Sequence, residues 1–411
     1  MNNKAINWLR DAFQQARIAC GIIDRRVYTG PWHVQIDLTN RCNNDCLACW
    51  CNSPLLGDKA MSEEMQEKFL ARDVLFQLID DLHSLGVRDL YFTGGGEPFM
   101  HPDILDVMRH VKSKGMRLDM STNFTLVTKE IARQLVEIGV DHLNMSLWAA
   151  RPETYVSLHP NKTVDTFREM TEVIDYIFEL KRKNNTIRPA LGMYNVITAL
   201  NFHEVRAMLQ YAHEHRINDI SYVPVDTIPG RTDSLALNQR QRAQLSKEVK
   251  SLQELCCDLA KEEIHQVVFA NLEVFQQRIL SENADQANYD KALVSSLPSC
   301  YAGWSFARVL ANGDVNSCLK SFKIPIGNIY EARFPEIWQG EKQQEFRTHT
   351  IPYDVENPYF KSMGNDLWTE EQGCMKCCDN LGLNYSIHEK MRNLNLFGKI
   401  LIRIANSIKR I

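Results

Sequence analysis

Arg41-Cys42-Asn43-Asn44-Asp45-Cys46-Leu47-Ala48-Cys49 sets three cysteines at the spacing C-x3-C-x2-C, directly after His33-Val34-Gln35-Ile36-Asp37-Leu38. That preceding run alternates polar and apolar residues and reads as a strand. Thiolates at this spacing can each hold one corner of a four-iron, four-sulfur cube. Three ligands for four irons leave one iron open to a group that is not protein, which suits a reactant better than an electron relay. A second run, 89–92, reads as a strand and passes straight into Thr93-Gly94-Gly95-Gly96-Glu97-Pro98. Glycines there remove side chains and let backbone groups approach a small ligand closely. Both motifs lie just past the ends of strands, where α/β sheets place their chemistry.

Around these motifs strand and helix patterns alternate. Strands are expected at 33–38, 89–92, 117–120, 142–147, 189–197 and 219–223, and helices at 62–85, 102–114, 129–138, 164–183 and 203–215. Six such units argue for parallel strands joined by right-handed crossovers. The expected fold class is α/β: an incomplete (β/α)6 TIM-like barrel with a small C-terminal α+β domain. A closed barrel would need two further units. The expected organisation is an amphipathic helix within 1–30, the barrel over 31–230, a polar helical bridge over 231–298, a second cysteine-bearing domain over 299–380, and a basic amphipathic tail helix over 381–411.

Composition narrows the function class. With 44% hydrophobic and 24% charged residues, the 411-residue chain has the makeup of a globular protein. Its net charge of −4, from 47 basic against 51 acidic residues, gives no field for recruiting nucleic acid. No run approaches the roughly 20 apolar residues of a membrane span. The first residues lack the apolar core of a signal peptide, so the expected location is the cytoplasm. Twelve cysteines in a reducing compartment point to metal rather than disulfides. Cys20, Cys256 and Cys257 fall in helical patterns and read as packing residues.

The C-x3-C-x2-C loop followed by the glycine-rich strand end resembles the radical S-adenosylmethionine (radical SAM) superfamily. The resemblance implies a 4Fe-4S cluster on Cys42, Cys46 and Cys49, with the methionine end of SAM chelating the open iron. It gives Gly94, Gly95, Gly96 and Glu97 the methionine amino group. Asn123, Ser146 and Asn195, at or near later strand ends, are candidates for ribose, carboxylate or adenine contacts, or alternatively for capping the next helix. The family usually has an aromatic residue where this chain has Ala48, which leaves Trp50 as a candidate for adenine packing. Cys51 has no assigned role. The implied chemistry is one-electron cleavage of SAM and hydrogen abstraction by the resulting radical, fed by an external donor such as flavodoxin or ferredoxin.

A second set follows. Cys300-Tyr301-Ala302-Gly303-Trp304 leads to two strands joined at Asn312-Gly313 and ending at Cys318, and Cys374-Met375-Lys376-Cys377-Cys378 closes the region. This resembles the SPASM/twitch extension of radical SAM enzymes. It implies one auxiliary 4Fe-4S cluster on Cys300, Cys318, Cys374 and Cys377, with Cys378 as a substitute for Cys377. A structural zinc site is the alternative. In the tail, Leu394, Phe397, Leu401, Ile404, Ile408 and Ile411 form one helical face, and Lys390, Arg392, Lys399, Arg403, Lys409 and Arg410 supply charge. Such a helix either lies peripherally on the inner face of the membrane or packs on the fold.

The expected substrate is sugar-like or another small polar molecule, free or lipid-linked, with oxidation, epimerisation or decarboxylation as outcome. Maturation of a ribosomally made peptide is the alternative. The short segment before Cys42 leaves no room for the peptide-recognition domain that such maturases often carry. A two-cluster electron carrier is the non-enzymatic alternative. No catalytic acid or base is assigned.

Overall fold

A computed structural model describes residues 3–261, 267–281, 296, 299–354, 356–363, 374, 380–393 and 403. Six strands, β1 (His33–Asp37), β2 (Asp89–Thr93), β3 (Arg117–Thr122), β4 (His142–Met145), β5 (Ala190–Ile197) and β6 (Asp219–Pro224), lie side by side in chain order and all parallel. Crossover helices α3 (Arg72–Ser84), α4 (Ile104–Ser113), α5 (Lys129–Ile138), α7 (Val164–Lys183) and α8 (Val205–Glu214) join them, numbered after α1 (Asn3–Asp24), α2 (Glu63–Gln66) and α6 (Pro152–Leu158). Alternation along the strands explains the layering. Val34, Ile36, Leu90, Phe92, Leu118, Met120, Leu143 and Met145 belong to the buried core. Their neighbours Gln35, Tyr91, Asp119, Ser121, Asn144 and Tyr194 point the other way, into the barrel, and are only half-buried. The inner wall is therefore polar.

The structure extends the parallel sheet at both edges, with one strand the sequence pattern lacks and one it places in the second domain. β7 (Val268–Phe269) pairs with β6, and β8 (Phe306–Val309) pairs with β1 on the opposite edge. β9 (Asp314–Asn316) and β10 (Gly327–Asn328) continue antiparallel from β8, so one ten-stranded sheet crosses the expected domain limits. Among the described residues β7 and β10 end the strand order. The hairpin between β8 and β9 turns where expected, with Gly313 at φ +91°. Arg308 on β8 makes a bidentate pair with the buried Asp37 of β1, at 3.1 Å and 2.6 Å to Oδ2. The second domain is thus fastened at the strand end from which the cysteine loop departs.

One sequence expectation changes and one helix is added. The helix expected over 62–85 is two helices, α2 and α3. Between them the chain leaves the helix to clasp the loop after β1, with Leu70 N donating to Leu38 O and Asn40 N to Lys68 O, both at 2.9 Å. Tertiary hydrogen bonds override the local pattern here. Helix α6 was not expected. Of the tail, 394–402 and 404–411 lie outside the described residues, while Arg403 Nε donates to Asp24 Oδ2 of α1 at 2.9 Å. The preceding helix Asn380–Asn393 also meets α1, where Ile18 and Ile22 share a small core with Tyr301, Trp304 and Ile387.

The second domain is tied to the barrel at two further points. Arg333 Nε donates to Asp81 Oδ2 of α3 at 2.9 Å, and Trp338, fully buried, donates from Nε1 to Thr29 O at 3.1 Å. Truncating a buried tryptophan removes both its apolar contacts and, here, a buried hydrogen bond. Trp338→Ala is expected to cost about 3–5 kcal/mol, read as a lower denaturant midpoint for the anaerobically purified protein; an unchanged midpoint would show that this docking contributes nothing.

Candidate active site

The cysteine loop is seated on the glycine strand end. Glu97 N donates to Arg41 O at 2.7 Å, directly before Cys42. A Cβ on Gly96 would collide with that same Arg41 carbonyl, and one on Gly95 would lie 2.6 Å from Asn40 Oδ1. Here, close backbone approach is what requires glycine. The run seen in the sequence therefore fits against the loop as much as against a ligand.

The three thiols of the loop are near enough to feel one another's charge. Burial pushes Cys42 up to about 12 and Cys46 well above its usual value, while the Cys51 thiol holds Cys49 below its own. Hydrogen-bond donors surround the sulfurs. Asn44 N reaches Cys42 Sγ at 3.5 Å, and Cys51 N and Asn52 N both reach Cys49 Sγ at 3.3 Å. Such a setting is costly for bare thiolates but is matched to thiolates bound to iron, whose charge ionises them. Among the described residues, no three His, Cys, Asp or Glu side chains are gathered tightly enough for a single metal ion. Three neighbouring thiols, with N–H groups directed at the sulfurs of Cys42 and Cys49, fit a cube held at three corners.

Glu97 is buried, and its carboxylate accepts from Phe99 N at 3.1 Å, Thr122 Oγ1 at 2.7 Å and Asn123 N at 2.6 Å. Desolvation raises it to about 7 against the pull of these donors. Glu97 thus clamps the glycine turn to the end of β3. Asn123 extends the link, donating to Asn43 Oδ1 at 2.9 Å and lying 3.9 Å from Cys42 Sγ. Ser146 sits half-buried just past β4, its N–H on Thr122 O. Asn195 is placed differently. It is fully buried on the helix-facing side of β5, accepting from Trp148 N and donating to Met193 O and Ser221 O. Glu97 and Asn123 reach the cluster loop, Ser146 stands one strand further on against Thr122, and Asn195 braces the turn after β4. Trp50 turns its ring to Lys320.

The second cysteine set has the same dressing. Cys300 Sγ accepts from Asn384 Nδ2 at 3.4 Å and Cys318 Sγ from Lys320 N at 3.5 Å, while Tyr353 OH is shared between Cys374 O at 2.9 Å and Cys374 Sγ at 3.1 Å. Cys377 and Cys378 lie outside the described residues. By contrast, the Cys256 thiol donates, to Val267 O at 3.4 Å, as a protonated packing cysteine does. Cys20 is buried as expected; Cys257 is exposed rather than packed. Asn384 and Tyr353 escaped the sequence reading because nothing in their spacing marks them. Lys320 and Asp226, a buried pair at the barrel mouth, were missed for the same reason.

Comparison with known proteins agrees with this geometry. The radical SAM superfamily profile matches residues 36–212, and an iron–sulfur cluster-binding domain profile, SPASM, matches 300–378. A tungsten-containing aldehyde ferredoxin oxidoreductase cofactor-modifying protein of Pyrococcus furiosus is 28% identical over 44% of this chain, an alignment taking in only 47% of that protein. An Fe-coproporphyrin III synthase of Methanosarcina barkeri is 25% identical over 74% of this chain and 72% of its own. Among solved structures, Streptococcus suis SuiB bound to S-adenosylmethionine superposes with a TM-score of 0.58 at 15% identity, covering 82% of this chain and 71% of SuiB. The structure of anSMEcpe with bound AdoMet gives 0.55 at 14% identity, over 91% and 98%. Three neighbouring thiols on a loop seated against a glycine strand end, with a second dressed cysteine set beyond, thus coincide with both profiles: the chain belongs to the radical SAM superfamily and carries a C-terminal SPASM/twitch-type iron–sulfur domain.

Proposed function

We propose that this radical SAM enzyme abstracts hydrogen from a small polar, sugar-like substrate, free or lipid-linked, and oxidises, epimerises or decarboxylates it. The observation that carries the reading is the inner barrel wall. Tyr91 and Ser121 are hydrogen-bonded at 2.5 Å, Asn144 reaches Tyr91 OH at 3.4 Å, and these side chains stay half-exposed. Such a wall offers hydroxyl and amide partners to hydroxyl-bearing ligands. The mouth is also strapped: Trp50 Nε1 donates to Asp226 O at 3.2 Å, and Arg231 after β6 pairs with Asp58. The strap favours small substrates. Names such as Fe-coproporphyrin III synthase among the relatives point to small molecules too, while SuiB bound to precursor peptide SuiA supports the peptide reading.

Cys42, Cys46 and Cys49 would hold the SAM-binding cluster, and Cys300, Cys318, Cys374 and Cys377 the auxiliary one. Reductive cleavage of SAM supplies the hydrogen-abstracting radical. The protein's part is placement: Gly94, Gly95 and Gly96 present backbone to the methionine end, Glu97 fixes their turn, and Asn123 and Ser146 face the same space. For the tail, no described helix is long and apolar enough to cross a membrane. The Arg403–Asp24 bond supports packing on α1, and peripheral membrane contact is the second reading.

Anaerobic reconstitution is expected to load about eight irons and eight sulfides, two cubes' worth. With SAM and a reductant the protein should release 5′-deoxyadenosine and methionine, and Cys46→Ala should not. A count near four irons with one zinc would refute the auxiliary cluster. Release should rise when a polar metabolite fraction is added; a rise with a peptide fraction alone would reverse the choice of substrate. Glu97→Gln sets an amide against three donors and should weaken SAM binding about tenfold or more, from the ~1.5–3 kcal/mol of charge-assisted hydrogen bonds. Wild-type affinity, measured by spectral titration, would remove Glu97 from the site.

A further inference from the structure

Lys320 Nζ and Asp226 Oδ2 lie 3.5 Å apart with side chains only 6% and 4% exposed. A buried ion pair seldom repays its desolvation in stability, so its placement calls for another account. Three loops meet at this pair. Lys320 comes two residues after Cys318, and its own N–H donates to Cys318 Sγ at 3.5 Å. Asp226 stands two residues past the carboxyl end of β6. The Lys320 ammonium lies 5.1 Å from the ring centroid of Trp50, the residue directly after Cys49, and Trp50 Nε1 donates to Asp226 O. One buried cation thus sits where the loops of the two cysteine sets come together.

We propose that Lys320 is a positioning residue that sets the reduction potential of the auxiliary cluster, its ammonium held in register by Asp226 and Trp50. The inference rests on Cys318 being a ligand of that cluster. An electron added to a cluster makes its charge more negative. A fixed cation nearby, shielded from water, favours that reduced state more than it would in solvent. Hydrogen bonds to the ligand sulfurs and exclusion of solvent act on the same quantity. The Trp50 ring keeps the ammonium in place through its negative face. Asp226 both anchors the cation and cancels part of its field, so the two partners must push the potential in opposite directions. A pair that only held the loops together would not give opposite signs.

The test is an EPR-monitored redox titration of the full chain, reconstituted anaerobically with both clusters. Lys320→Met should shift the auxiliary midpoint to more negative potential and Asp226→Asn to more positive, while Lys320→Arg stays near wild type. Both variants moving the same way, or neither moving with iron content intact, would overturn the proposal. If Lys320→Met fails to load the cluster, Asp226→Asn decides alone: no positive shift overturns the idea. Iron near four per wild-type chain would instead remove the auxiliary cluster itself, a separate failure that also ends the proposal.

Discussion

The hydrogen bond from Glu97 N to Arg41 O holds together everything that makes this site. It joins the loop after β1 to the turn after β2 at the residue preceding Cys42, and it can form only because Gly96 puts no side chain between the two backbones. Glu97 then passes the constraint on. Its carboxylate takes three donors, two of them at the end of β3, so three consecutive strand ends behave as one rigid edge. A ligand placed on that edge meets preset backbone geometry rather than loops that must first be ordered, which is where preorganisation lowers the cost of binding.

The barrel was legible because its chemistry is repetitive. Alternating apolar residues in β1 to β4, and the apolar faces of α5 and α7, carry their own period, and the elements formed close to where that period places them. What escaped was set by distant partners. β7 has two residues, too few for any pattern, and exists because β6 offers it an edge. β8 was visible as a strand, but its parallel pairing with β1, across some 270 residues of chain as the Arg308–Asp37 separation shows, was not. The break between α2 and α3 answers to backbone groups of residues 38–40, which no local propensity records. At the site, cysteine spacing named the ligands but not what surrounds them. Asn384, Tyr353 and Lys320 reach sulfur from unrelated parts of the chain.

Joining the second domain to the barrel through a shared sheet has a mechanical consequence. A domain resting on a loop interface rotates readily, whereas β8 continues the ladder of β1 and is pinned there by Arg308 and Asp37. Arg333 on Asp81 and Trp338 on Thr29 fix the far side. Cys318, which follows β9, therefore keeps a set distance from the cysteine loop that follows β1. Any electron moving between two clusters so placed would find a constant gap.

The direction of the hydrogen bonds at sulfur separates the cysteines better than their spacing does. A thiol in a helix satisfies itself by donating to a carbonyl, as Cys256 does to Val267. Cys42, Cys49, Cys300, Cys318 and Cys374 instead receive N–H or O–H groups. Donors directed at sulfur cost little when the sulfur is a metal-bound thiolate, and they raise the potential of the centre it serves. Such donors would be a poor use of buried polar groups around ordinary thiols, which accept weakly. The two cysteine sets share this trait although, apart from one C-x2-C step, their spacing differs. The trait fits the iron–sulfur chemistry of the two family profiles that cover these cysteines.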